Sequence, residues 1–98
     1  MSQHITDEMI LTAIDRGFSA LGDSPKQAIW YCLENDFKFD RNKVPENLEA
    51  FEETLKRFFG LGYSFLETLL LHYLSEVTGE KSNGQSFSEY VNYLREEP

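Results

Sequence analysis

Residues that build catalytic or metal sites are scarce in this sequence. Cys32 is the only cysteine among 98 residues, so no intramolecular disulfide can form, which is typical of proteins in a reducing cytosol. Its neighbours are apolar and offer no base, so we expect a small buried side chain rather than a nucleophile. The two histidines, His4 and His72, stand at no metal-ligand spacing from Cys32. We therefore predict no metal site, no cofactor and no enzymatic activity.

Long apolar runs and positive charge are also lacking. The longest uninterrupted apolar run, Ile29 to Leu33, has five residues, whereas a membrane-spanning helix needs about 20. The first residues lack the basic start and apolar stretch of a signal peptide. Nine Lys and Arg against 17 Asp and Glu give a net charge of −8, which repels nucleic acids and anionic membranes. We predict a cytoplasmic protein that binds neither membranes nor nucleic acids.

Apolar and aromatic residues, in contrast, are plentiful. They make up 41% and 14% of the chain, a composition typical of globular rather than disordered proteins. The length suits one domain with a modest core. We predict a single helical domain over residues 1–98, with frayed ends at 1–5 and 95–98.

The segment 65–77 carries apolar residues on more than one face of a helix. Such a helix needs neighbours on several sides, so we expect it to form the centre of the domain, over about 63–78, and to end at Gly79. The predicted fold is therefore all-α, a compact bundle of about five helices around this central apolar helix.

Caps and apolar spacing place the other helices. Thr6 is the expected N-cap of the first, which ends at Gly22. Ser24-Pro25-Lys26-Gln27 predicts a capping box that starts the second, and Ser86 to Glu89 predicts another that starts the last. The third runs from an Asn47 cap to Phe59, and its expected buried stripe is Leu48, Phe51, Leu55 and Phe58.

The connection over residues 36–46 is predicted to be irregular. Pro45 favours extended geometry at Val44. Phe37 and Phe39 are expected to turn inward and anchor the segment. The same loop holds the only basic cluster, Lys38, Arg41 and Lys43, which could dock an acidic partner or a small anion, or could simply be solvated.

Trp30 and Tyr31 are the most suggestive pair for binding. Adjacent residues on a helix project about 100° apart, so both are buried only if the second helix is flanked on two sides. Otherwise an exposed aromatic patch remains, and such patches mark partner surfaces. The sequence leaves both possibilities open.

His72 stands one helical turn before Glu76 on the central helix. The carboxylate could orient the imidazole as a base, or the pair could be an ordinary surface contact. A helix-turn-helix DNA-binding interpretation of residues 47–77 is disfavoured, because the second helix is too apolar and lacks the arginine and lysine that contact DNA.

Three segments, Ile29–Glu34, Val44–Glu52 and Phe58–Gly62, carry a resemblance to known proteins. They resemble a family of small archaeal helical domains, the Nitrosopumilus output domain family. The likeness covers about residues 8–79. Its most distinctive part is Pro-Glu-Asn-x-Glu-Ala-Phe-Glu, followed by a glycine-containing turn and an apolar helix. The resemblance implies an all-helical module that occurs alone or in signalling proteins and passes a signal through contacts. No catalytic residues are assigned in that family, so none is carried over.

These observations lead to one functional expectation with two alternatives. We expect a non-enzymatic interaction or regulatory module that binds a protein partner or itself, with Trp30, Tyr31, Lys38, Arg41 and Lys43 as its candidate surface. The first alternative is a small-molecule sensor whose apolar inter-helix pocket is tipped by His72. The second, weaker alternative is an enzyme using His72 and Glu76.

Overall fold

The all-α fold predicted from the sequence is confirmed. In the computed structural model, residues 5–81 and 84–96 are described, and within these ranges there are helices and no strands. The five α-helices are α1 (Asp7–Ser19), α2 (Asp23–Asn35), α3 (Leu48–Phe59), α4 (Tyr63–Thr78) and α5 (Phe87–Glu96). Two 3-10 helices, Arg41–Glu46 and Gly60–Gly62, complete the described part of the chain.

Helix α1 packs most extensively against α4. The hydroxyl of Thr6 accepts a hydrogen bond from the amide of Met9, so the predicted N-cap is confirmed. Gly17 lies on the buried face of α1, where an added Cβ would stand 2.7 Å from Cδ2 of Leu70. The absence of a side chain at Gly17 therefore sets the close approach of the two helices.

The boundaries of α4 agree with the prediction, and Gly79 ends the helix with a left-handed φ of 80°. Helix α4 contacts α1, α3 and α5, so its predicted place among the other helices is confirmed. Its buried residues form a single stripe, Tyr63, Leu66, Leu70 and Leu74, and Leu71 and Tyr73 are half-buried against the core. One side stays open, since Phe65 is 64% exposed. Part of the apolar surplus of this helix thus reaches the solvent.

Helix α2 begins two residues earlier than predicted, with Gly22 rather than Ser24 as its N-cap, and no Ser24 capping box forms. Gly22 is the N-cap, with φ 111°, and its carbonyl accepts a hydrogen bond from the amide of Lys26. Asp23 starts the helix, and Pro25 is tolerated because amides of the first turn need no helical partner. The predicted end of α1 at Gly22 also shifts, since α1 stops at Ser19.

The connection between α2 and α3 is more regular than expected. Val44 is not extended but lies buried in a 3-10 helix that includes Pro45. Phe39 does turn inward and meets the ring of Phe51, with ring centroids 6.0 Å apart. Phe37 stays 38% exposed. The backbone of Lys38 adopts a φ of 56°, in the left-handed region, as the chain reverses after α2.

Helix α3 starts after Asn47 as predicted, but the side-chain Nδ2 of Asn47 donates to the carbonyl of Lys43 and the side chain does not cap α3. Three of its four predicted stripe residues are buried, whereas Phe58 is 43% exposed. The second capping box is confirmed. The amide of Ser86 donates to Oε1 of Glu89, and the amide of Glu89 donates to Oγ of Ser86.

Both described ends of the chain are attached to the bundle. Ile5, expected at a frayed end, is almost fully buried. Arg95 lies within α5, and its guanidinium donates to the carbonyl of Pro45 and stands 3.6 Å from Oδ1 of Asp7. Residues 1–4, 97 and 98 of the predicted frayed ends lie outside the described residues.

Candidate interaction surfaces

Trp30 is held by contacts inside the bundle. Its ring meets Phe18 of the core edge-on, with centroids 5.3 Å apart, and its Nε1 donates to Oδ1 of Asp15 at 3.2 Å. Arg41 forms an ion pair with the same carboxylate, and its guanidinium lies 5.3 Å from the Trp30 ring centroid. Asp15 thus links α2 and the 3-10 helix Arg41–Glu46 to α1. The polar groups of Trp30 and Arg41 are bonded largely within these contacts.

Tyr31 points the other way and is 65% exposed. Of the predicted surface, the structure therefore presents Tyr31, Lys38 and Lys43 to solvent and leaves Trp30 and Arg41 only partly exposed. The two lysines border a concavity of about 310 Å³, to which Phe39 and Ala50 contribute apolar surface and Asp40 a negative charge. An anion with a small apolar body matches this mixture of groups.

His72 lies on the outer side of α4, more than half exposed. Its Nε2 is 3.2 Å from Oε2 of Glu76, and its ring stands edge-on to Tyr73. The predicted helical-turn pairing is therefore present. It stands at the surface, open to water, rather than at the tip of an apolar pocket between helices.

A surface that the sequence did not single out runs along the outer side of α4 and the 3-10 helix Gly60–Gly62 that precedes it. Five exposed residues, spaced four, three, four and four apart, form this face, which we call the outer stripe: Leu61, Phe65, Thr68, His72 and Glu76. Leu61 is 99% exposed and Phe65 is 64% exposed. The apolar end of the stripe adjoins the end of α3, where Phe58 is also partly exposed.

Two buried or half-buried carboxylates bind the start of α5. Glu52 on α3 is 6% exposed and accepts the amide and the hydroxyl of Ser88 at 2.7 and 3.0 Å. Glu67 on α4 accepts the amide of Phe87 at 3.1 Å. Together they hold the N-terminus of α5, where amides are free and the helix dipole favours negative charge.

Two side chains, Tyr63 beside these carboxylates and Cys32 on α2, have shifted pKa values. Burial, with the carboxylates of Glu52 and Glu67 nearby, raises the pKa of the Tyr63 hydroxyl. Desolvation, with the Asp36 carboxylate close by, raises the pKa of the Cys32 thiol. Both changes favour the neutral side chain at neutral pH, which makes neither a strong nucleophile.

Over residues 5–81 and 84–96, no group of three or more His, Cys, Asp or Glu side chains is arranged to hold a metal ion. Over the same ranges, no helix has the length and apolar character needed to cross a bilayer. No protein-family model, curated protein or solved structure matches the chain. The resemblance to the Nitrosopumilus output domain family accordingly stays a prediction.

Proposed function

We propose that this protein is a non-enzymatic protein–protein interaction module and that the outer stripe of α4 is its main contact surface. The observation that carries the proposal is the exposure of Leu61 and Phe65, at 99% and 64%. Each large apolar side chain that moves from water into an interface contributes about 1.5–3 kcal/mol. Leaving two of them side by side in water favours association with a partner.

The composition of the stripe also supports binding. Between Leu61 and Leu71 the only charged residue is Glu67, and its carboxylate faces α5. The outer side of these turns is therefore uncharged in a chain of which 27% is charged. Interface cores are depleted of charge and enriched in aromatic residues in the same way.

The surface predicted from sequence has a secondary place in this proposal. Lys38 and Lys43 remain available for a second contact, and their charges favour an acidic partner segment. A role in passing signals through contacts, in the cytoplasm, agrees with the resemblance noted above and with the single cysteine.

The concavity beside Lys38 and Lys43 favours a second candidate function, a sensor of a small anion with an apolar body. Its two cations and its Phe39 wall are the supporting observation. A thermal-shift series with small aromatic carboxylates tests it. We expect a rise in melting temperature that is lost in Lys43→Ala, and no rise for any carboxylate would contradict a sensor role.

Site-specific photo-crosslinking in the native cell tests the interaction module. A photoreactive phenylalanine at position 65 should yield a discrete adduct, whereas the same group at the equally exposed position 31 should not yield that adduct. An adduct at twice the mass of the chain indicates self-pairing, and any other mass indicates a different protein. No adduct at position 65 beyond the level at position 31 would contradict the proposed function.

A further inference from the structure

The proposed contact surface has features that match a second copy of the same chain. We infer that two copies pair through the outer stripe of α4, side by side and antiparallel about a two-fold axis. This inference rests on the proposed function and adds the identity of the partner and its orientation.

The first argument is the distribution of apolar and charged groups along the stripe. Its N-terminal half carries Leu61 and Phe65, and its C-terminal end carries Glu76. A parallel pairing would bring the two Glu76 carboxylates together, which is unfavourable. An antiparallel pairing instead places Glu76 near the start of the partner's α4, where the helix dipole is positive.

In an antiparallel register that sets Leu61 opposite His72, Phe65 lies opposite Thr68. Both apolar side chains then cover polar or small neighbours of the partner, and each copy supplies the same set of contacts.

The second argument is the surface area that the pair would bury. If a large side chain exposes about 200 Å² in the unfolded chain, the stripe with its exposed flanks offers about 600 Å² per copy. The pair would bury about 1,200 Å² in total, which is the lower end of stable specific interfaces. We therefore expect a reversible dimer that dissociates at micromolar concentrations rather than an obligate one.

Sedimentation velocity of the full chain, from about 1 µM to about 1 mM, tests the pairing. We expect a monomer–dimer equilibrium that Phe65→Glu weakens at least about tenfold. Leu61→Glu should act in the same way, since both side chains are exposed and neither change disturbs the core. Tyr31→Glu is the matched control, because Tyr31 has nearly the same exposure on a different helix, and it should leave the equilibrium unchanged.

A charge exchange tests the antiparallel orientation. Glu76→Arg lowers the negative charge of each copy, which on general electrostatic grounds would favour association. We expect it instead to weaken the dimer about threefold or more, because the introduced guanidinium then lies near the positive N-terminal end of the partner's α4.

Three results would overturn the inference. They are a wild-type monomer throughout the concentration range, a dimer that Tyr31→Glu disrupts and Phe65→Glu does not, or Glu76→Arg binding as tightly as wild type. A wild-type monomer would leave the interaction module intact if the position-65 crosslink gives an adduct with a different protein. The proposed function fails only when that crosslink is absent.

Discussion

Replacing Glu52 by alanine should detach the N-terminal end of α5 from the bundle. The carboxylate is 6% exposed, and its two oxygens accept the backbone amide and the hydroxyl of Ser88. Ser88 is itself 4% exposed, so water cannot readily replace these bonds. The alanine variant would leave a buried donor pair without acceptors at the start of a helix.

The magnitude follows from the two hydrogen bonds and their cost. A hydrogen bond to a charged group contributes about 1.5–3 kcal/mol, and a helix N-cap about 0.5–2 kcal/mol. Burying the carboxylate without a cation offsets part of this gain. We expect Glu52→Ala to lower the free energy of unfolding by about 2–3 kcal/mol, which corresponds to a melting temperature about 10–20 °C lower in a domain of this size.

Urea denaturation followed by circular dichroism measures this loss. Glu53→Ala is the matched control, since Glu53 is the next residue on α3, is largely solvent-accessible and only approaches Lys56 at 4.0 Å. It should change the free energy of unfolding by less than about 0.5 kcal/mol. Ser88→Ala, which keeps the amide donor, should fall between the two. Equal losses in Glu52→Ala and Glu53→Ala would refute the role assigned to Glu52.

Three further predictions concern packing and are checked by thermal or urea denaturation. Gly17→Ala should destabilise the fold by about 1–3 kcal/mol, because the added Cβ meets Leu70. Gly62→Ala should stabilise it by about 0.5–1 kcal/mol, because Gly62 has a φ of −72° and open space around an added Cβ. A change in stability of the same sign in both variants would contradict the close approach of α1 and α4. Tyr90→Phe should keep or raise stability, because the buried Tyr90 hydroxyl has no hydrogen-bond partner among the described residues, and a loss above about 1 kcal/mol would show that the hydroxyl is bonded. Trp30→Ala should cost about 3 kcal/mol or more, and a loss as small as that of an exposed residue would return Trp30 to the candidate surface.

Local features of this fold could be predicted from the sequence because their signals are local. The Thr6 cap, the Ser86–Glu89 capping box and the Gly79 stop each depend on residues within four positions of one another. The Ser24 capping box does not form, although the residue pattern fits one. Gly22, with its positive φ, caps the helix two residues earlier, and the composition of the first turn permits either start.

Contacts between distant segments have no such local pattern in the sequence. Asp15 meets Trp30 and Arg41, which lie 15 and 26 positions away, and Glu52 meets Ser88 36 positions away. From the sequence alone, Asp15 and Glu52 are each one charged residue among many on an amphipathic helix. Only the packing of the helices decides which of them has a partner.

The candidate surface was predicted in part, for a related reason. Apolar periodicity identifies a helix that is rich in apolar residues, but it does not state how many sides neighbours will cover. The apolar surplus in α4 favours burial, whereas the single stripe that packs inward leaves Phe65 in solvent. For Trp30 the sequence leaves burial and exposure open, and its hydrogen bond to Asp15 and its contact with Phe18 decide for a partly buried position.

The central claim is that the outer stripe of α4 contributes nothing to the fold of a single copy and is available for binding. The most direct measurement compares the free energies of unfolding of Phe65→Ser and Leu66→Ser, at about 1 µM, where dimers dissociate. These neighbouring residues are 64% and 1% exposed. We predict a change within about 0.5 kcal/mol for Phe65→Ser and a loss of about 3 kcal/mol or more for Leu66→Ser. A comparable loss in Phe65→Ser would mean that its ring supports the core, and the claim would be wrong.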